Sequence, residues 1–487
     1  MKRKAIIIGS GISGLALAVR LKSRGFDVHV YEKNKSIGGK LSDFHMDNFR
    51  HDFGPKLFTM PNLLEDIFND ANLEINEYIK YRKLDIACKY FWDDGTEINA
   101  FSDRKKFINE LNDKLSVDES KLNSYLERSE RKFKLVHKIF LERSLHKFST
   151  FFSIESIIAT INFFKLDIFT SLNSLNKKYF KNQKLIQLFN RFATYNGSSP
   201  YLTSGIMSII QHLEHDLGVY MPENGISSIS KCLHRLAIDT GVKFHLNCQI
   251  HEIIINNNCA IGIKTSNSTE YADYVISNMD VSLTYEKLLK DYKKPYYVKK
   301  YQPSSSAVVF YWNMDKSFEN LNIHNIIFSK DQRKEFDFIF NKKLISDDPT
   351  VYICSTSKMV KNDAPKGCEN WFILINSPFD SGQDWEIVKN DLRKNVIRKI
   401  EKTINIKIER HILKEKILTP IDIELETMSK FGSLYGSSSN SIKSAFLRHP
   451  NFSKKIKNLY FCGGSVHPGG GIPLCLNSAK IVSDLID

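Results

Sequence analysis

A chain of 487 residues, 42% hydrophobic and 25% charged, exceeds what one hydrophobic core normally serves and is expected to fold as two or three domains. Its 69 basic and 55 acidic side chains leave a net charge of +14, which suits an anionic surface or ligand, yet the lysines are scattered among acids and aromatics with no zinc-finger or RNA-binding signature, so no nucleic-acid partner is expected. The eight cysteines stand far apart without a CxxC pair, which argues against a disulfide scaffold and against a metal site and points to a reducing cytoplasm.

The basic start Met1-Lys2-Arg3-Lys4 and the apolar residues 5–8 mimic a signal peptide, but glycines break the run at once and no cleavage site follows. No stretch reaches the roughly 18 consecutive apolar residues of a membrane-spanning helix, so membrane contact is expected only at the surface. Residues 5–8 read as a buried parallel strand, 15–24 as a helix rich in Leu, Ala and Val, and 26–32 as a second strand. Between strand and helix lies Gly9-Ser10-Gly11-Ile12-Ser13-Gly14. Gly9 permits the tight turn, Gly11 lets the backbone approach a pyrophosphate, Gly14 allows helix and strand to pack closely, and the helix N-terminus offers unpaired N–H groups. Glu32 ends the second strand, where a carboxylate accepts from ribose hydroxyls and repels a 2′-phosphate. A dinucleotide site is predicted; this unit does not separate NAD from FAD.

Further along, Gly38-Gly39-Lys40 and Gly54-Pro55-Lys56-Leu57 form two more turns. Paired glycines let backbone approach an extended ligand, and Lys40 can counter a diphosphate. From about 100 to 215 the pattern is helical and poor in Gly and Pro. Phe151, Ile154, Ile158, Ile161, Phe164, Ile168 and Leu172 fall on one helical stripe, opposed by Ser149, Ser153, Ser156, Thr160 and Asp167. With Lys147, Lys165, Lys177 and Lys178 at its flanks, the stripe suits either a membrane interface or a protein core. Residues 242–244, 249–255 and 260–265 read as strands, the last two joined by an asparagine turn.

At the C-terminus, residues 459–462 read as a short buried strand and 474–486 as a helix, with a glycine loop from Gly463 and Gly464 to Gly471, Ile472 and Pro473 between them. Pro473 suits a first helical turn, whose free N–H groups favour the negative charge of a reduced flavin. A dehydrogenase using NAD needs no second such site; an extended FAD does.

These motifs resemble the large flavoprotein group of amine oxidases, protoporphyrinogen oxidase and the bacterial-type phytoene and carotenoid desaturases. The GGxxHPGGGIP stretch resembles the carotenoid desaturases most, and its VHPGGGIP form is closest to enzymes that desaturate 1-hydroxycarotenoids at the 3,4 bond. Tyr195-Asn196-Gly197-Ser198-Ser199-Pro200, Gly218 to Gly225, Ala272 to Asp280 and Ser304-Ser305-Ser306-Ala307 extend the likeness along most of the chain. The resemblance implies an α/β fold, Rossmann-like and of the amine oxidase/GDI type, whose FAD-binding domain is assembled from segments 1–100, 215–285 and 440–487. A helical insert at 101–214 facing substrate or membrane, and a mixed α+β substrate domain at 286–439, complete it. It further implies that Ile250 touches the adenine side of FAD through its backbone and that Asn278 lies beside the cofactor.

Two places depart from the family: Asn224-Gly225 stands where Gly-Gly is common, and Ser465 replaces an acid found in many relatives. The implied function is removal of hydrogen from a hydrophobic carotenoid by a peripherally membrane-associated enzyme. Phytoene desaturation, amine oxidation and non-enzymatic prenyl escort are the alternatives. Glu155 is the nearest acid for proton removal and His467 invites a catalytic or a structural role; no base is identified, and oxygen or a quinone is left open as the electron acceptor.

Overall fold

β1 (Lys4–Ile8), α1 (Ile12–Ser23) and β2 (Asp27–Tyr31) form the βαβ unit that the first residues predict. β1 and β2 run parallel, from Lys4 opposite Asp27 to Ile8 opposite Tyr31. A continuous apolar run is what a doubly covered strand requires. Ala5 and Ile7 face the core beneath α1, while Ile6 and Ile8 face the opposite core. The full sheet has five parallel strands in the order Leu459–Phe461, Tyr274–Ser277, β1, β2, Lys243–His245. Three separated stretches of chain therefore close one sheet. The final helix, Ile472–Leu485, lies on α1, where Ser13 Oγ donates to the Cys475 carbonyl at 2.8 Å and Arg24 Nη2 to the Ile486 carbonyl at 2.6 Å. This computed structural model describes residues 2–299 and 302–486.

A second sheet of seven strands has the order Ile412–Leu418, Ser306–Met314, Glu369–Ser377, Val351–Cys354, His324–Ile327, Ile86–Phe91, Glu97–Phe101. Here the structure corrects one expected boundary. Residues 86–101 straddle the expected end of the first FAD-domain segment at residue 100, but they are strands of this second sheet, with Asn325 opposite Lys89 and Ile327 opposite Phe91. Their buried side chains Tyr90, Ile98 and Ala100 pack into the same core as the helical insert, and a strand goes where its apolar face is covered.

The apolar stripe also differs from expectation. It is one short helix, Ile154–Ile161, between the helical turns Phe148–Phe152 and Phe163–Leu166. Ser153 caps the helix by accepting from the Ser156 N–H, and Asp167 then takes a left-handed conformation. Asp167, expected on the wet side, is drawn inward by the Arg128 guanidinium at 2.7 and 2.8 Å. Ile168 and Leu172 follow it into the core. The rest of the stripe stays outside: Ile154 is 72% exposed, Ile161 75% and Phe164 90%, and the neighbouring Phe148 is exposed too. Among the described residues no helix is long and apolar enough to cross a membrane.

Candidate cofactor and substrate site

A cavity of about 870 Å³ lies between the two sheets, lined by the glycine loops on one side and by the face of the seven-stranded sheet on the other. Ordinary small-molecule sites span roughly 300–1,000 Å³. Gly9, Gly11, Ile12 and Ser13 line it, while Ser10 and Gly14 stand behind them. The Ser10 N–H and hydroxyl both donate to Glu32 Oε2, at 2.9 and 2.8 Å, and the Asn34 N–H donates to Oε1 at 3.0 Å. Glu32 is thus oriented by protein donors before any ribose arrives: Oε2 already accepts two hydrogen bonds, and Oε1 keeps a lone pair for a ribose hydroxyl. Gly14 is required by packing, since a β-carbon there would overlap the Gly9 carbonyl and sit 2.7 Å from Asn278 Nδ2.

Gly39, Lys40, Gly54, Pro55, Lys56 and Leu57 all line the cavity. The two lysines do not project as free cations. Lys40 Nζ donates to the Leu434 carbonyl at 2.9 Å, and its burial pulls the ammonium pKa below the usual lysine range against the opposing pull of Asp280. Lys56 donates to the Asp52 carbonyl and lies 4.1 Å over the Phe372 ring, so it fastens the 53–57 loop to the seven-stranded sheet. The Asp52 carboxylate accepts from the Ile226 and Ser227 N–H groups, each at 3.0 Å, shaping the Asn224-Gly225 turn. Gly225 has φ +81° and a β-carbon on it would collide with Arg50. Asn224 itself is exposed, so that departure from the family pattern sits where no packing demands glycine.

Ile250 opens the strand Ile250–Asn256 and lines the cavity, as does Asn278, whose N–H donates to the Ile8 carbonyl at 2.8 Å. Gly463, Gly464, Gly471, Ile472 and Pro473 line it too. Gly11 is the N-cap of α1 and Gly471 that of the last helix, and no side chain caps either one. A β-carbon on Gly471 would meet nothing within 4 Å. Two helix N-termini with uncapped N–H groups, opening through glycines on one cavity, fit a long phosphate-bearing dinucleotide. The Ser465 hydroxyl accepts from the Val281 N–H at 3.0 Å, joining the C-terminal loop to the helical turn Val281–Leu283 that follows Asn278.

The two catalytic candidates fare differently. Glu155 is removed from the site: it lies on the outer surface beside Arg143 at 3.4 Å and does not line the cavity. His467 is at the wall, but its Nε2 donates to the Arg143 carbonyl at 2.8 Å and burial lowers its pKa to about 4. That bond ties the C-terminal loop to the helical insert.

Sequence reasoning missed a buried polar cluster in the cavity wall. Arg191 pairs with Glu214, which also accepts from the Tyr195 hydroxyl, and Arg191 Nε donates to Tyr90 Oη at 2.8 Å. Arg191, Tyr195, Glu214 and His324 all line the cavity. The available signal was a lone charge in each of two apolar helical runs, Leu185 to Ala193 and Ile206 to Glu214. Nothing in the spacing joined them to His324.

The sequence profile of the family described as flavin containing amine oxidoreductase matches residues 12–487. The chain is 49% identical, over 99% of both chains, to a 1-hydroxycarotenoid 3,4-desaturase of Flavobacterium sp. (strain P99-3). It is 31% identical to a 4,4′-diaponeurosporene oxygenase of Staphylococcus haemolyticus, covering 100% of this chain and 97% of that one. Among solved structures, an oxidoreductase from Methanosarcina mazei superposes with a TM-score of 0.65 at 14% identity over 99% of this chain and 100% of that chain, a likeness of fold.

Proposed function

The chain belongs to the flavin-containing amine oxidoreductase family, and from that premise we propose that it is an FAD-dependent carotenoid desaturase that forms the 3,4 double bond of a 1-hydroxycarotenoid, the reaction for which its 49% identical relative is named. One observation carries the reading: a single cavity continues from the dinucleotide-shaped glycine loops into an apolar space walled by the seven-stranded sheet and the insert. A reaction that removes a hydride and a proton from adjacent, unactivated carbons needs this continuity. Flavin, when bound, supplies the hydride acceptor. Gly9, Gly11, Gly39, Gly463 and Gly471 would take its extended body and Glu32 its ribose. Val136, Phe140, Ile206, Ile210 and Phe336 form apolar wall, which holds a polyene and excludes water. The exposed Phe148, Ile161 and Phe164 support docking on a membrane surface, where such a hydrocarbon dissolves.

Anaerobic incubation of the purified protein with a terminally hydroxylated acyclic carotene and with the parent hydrocarbon tests this directly. The expected result is bleaching of the flavin and a longer-wavelength polyene from the hydroxylated compound. Conversion of the hydrocarbon alone would defeat the substrate choice. A colourless protein that takes up no FAD would defeat the enzyme reading in favour of a lipid escort. Reoxidation by oxygen or by an added quinone, compared in the same cuvette, identifies the electron acceptor.

A further inference from the structure

Among the described residues, two that line the cavity carry a buried side-chain polar atom without a hydrogen-bond partner: Ser433 at Oγ and His324 at Nε2. Ser433 lies beside Lys40 on the cofactor side. His324 lies on the substrate sheet, 1% exposed, in a transverse row that runs from Cys354 to Phe372 to Tyr311. The far end of that row carries the cofactor-side loop, since Lys56 sits on the Phe372 ring and the Tyr311 hydroxyl donates to the Phe53 carbonyl. Adjacent strands lie about 4.8 Å apart, which puts His324 roughly 10 Å from Phe372 along the row.

The imidazole is held, not loose: Nδ1 lies 2.8 Å from Tyr352 Oη. Its burial lowers the pKa to about 4, so the ring is neutral and Nε2 is either a donor or an acceptor according to tautomer. The neighbouring Arg191 is already neutralised by Glu214. A charged ligand group therefore finds no free counter-charge here, and a pure hydrocarbon leaves Nε2 unsatisfied, which is costly in a buried site. An alcohol, donor and acceptor at once, matches it.

Building on the desaturase reading, we infer that His324 is a specificity-determining residue that hydrogen-bonds the terminal hydroxyl of the polyene. In a 1-hydroxycarotenoid that hydroxyl stands two carbons from the bond to be desaturated. Anchoring it selects hydroxylated substrates and sets which bond is presented. Tyr352 acts through His324 as a positioning residue.

Equilibrium binding to holoenzyme with its flavin chemically reduced tests this without turnover. Lycopene and its terminal tertiary alcohol, in detergent micelles, are titrated against wild type, His324→Leu, His324→Gln and Tyr352→Phe, with flavin content measured for each and the polyene absorption band reporting occupancy. Wild type is expected to prefer the alcohol roughly ten- to hundredfold. His324→Leu should erase the preference and His324→Gln should keep most of it, while Tyr352→Phe should reduce it several-fold. Equal binding of the two polyenes by wild type, or an undiminished preference in His324→Leu, overturns the assignment. If the Leu variant does not retain flavin, an undiminished preference in Tyr352→Phe overturns it. A protein that prefers the alcohol yet dehydrogenates neither polyene defeats the desaturase reading while leaving the hydroxyl anchor standing.

Discussion

The Arg50 guanidinium grips the Asp363 carboxylate at two points, Nε to Oδ1 at 2.7 Å and Nη2 to Oδ2 at 2.9 Å. The same Arg50 reaches Asp52 at 2.8 Å, and Asp52 shapes the turn before the helix Ser228–Asp239. One buried side chain thus joins the strand Phe49–Asp52, the turn before the helix Ser228–Asp239 and the segment around Asp363. Breaking a buried ion pair costs about 3–5 kcal/mol when one partner is left stranded. Because Arg50 keeps Asp52, Asp363→Asn is expected at the lower end of that range, read as a reduced midpoint in chemical denaturation of the holoprotein. An unchanged midpoint would show that the pair is not structural.

Gly14→Ala forces a β-carbon against the Gly9 carbonyl and Asn278 Nδ2. Overpacking of this kind costs about 1–3 kcal/mol, and here the strain falls on the loop that lines the cavity and is proposed to take the dinucleotide. Flavin per mole of purified protein should fall several-fold, with the far-ultraviolet circular dichroism preserved. Full flavin occupancy in the variant contradicts the close helix–strand packing.

Burial holds His51, His215, His324, His449 and His467 at pKa values of about 4, against an ordinary 6.5. Between those values the unfolded chain binds more protons than the folded one. Their stability contribution is fully present above pH 6.5 and is lost as pH falls toward 4, by up to about 1.4 kcal/mol per pH unit for each histidine. Denaturation midpoints should therefore drop steeply from pH 6.5 to pH 5, and His467→Gln should make the decline shallower. A midpoint flat across that interval would be inconsistent with neutral buried imidazoles.

Phe164 and Ile161 are exposed on the insert, with Lys165 immediately beside them. Replacing both apolar residues by Asp removes buried area and adds repulsion from an anionic bilayer. Co-sedimentation with vesicles of mixed neutral and anionic lipid should fall about tenfold or more, while turnover of polyene supplied in detergent is retained. Equal vesicle binding by the double variant would exclude this patch as the membrane contact.

The glycine-loop side of the cavity was readable because its signals are local. Gly9 to Gly14, Glu32, the Gly-Pro turn at Gly54 and the loop from Gly463 to Pro473 each carry their constraint within a few consecutive residues: a left-handed turn, a close backbone approach or an uncapped helix start. Spacing predicted glycine turns open to an extended ligand, the resemblance added the Gly-Pro turn, and Gly9, Glu32, Gly54, Gly463 and Pro473 do line one cavity. That separated segments share one sheet was implied by the family resemblance, and the strands Lys4–Ile8, Tyr274–Ser277 and Leu459–Phe461 do lie side by side.

The substrate half was settled only by tertiary contacts. Strand Ile86–Phe91 joined the seven-stranded sheet because it pairs beside His324–Ile327, and Glu97–Phe101 follows as its antiparallel neighbour, a register set by matching buried faces far apart in sequence. The same pairing delivers His324 to the cavity, alongside Arg191 and Glu214 from separate turns of the insert. It also leaves Glu155, the acid that proximity in sequence favoured, on the outer surface. Which polar atom ends up buried without a partner depends on strand register and on the neighbours that register brings, and no spacing within one stretch of chain encodes that.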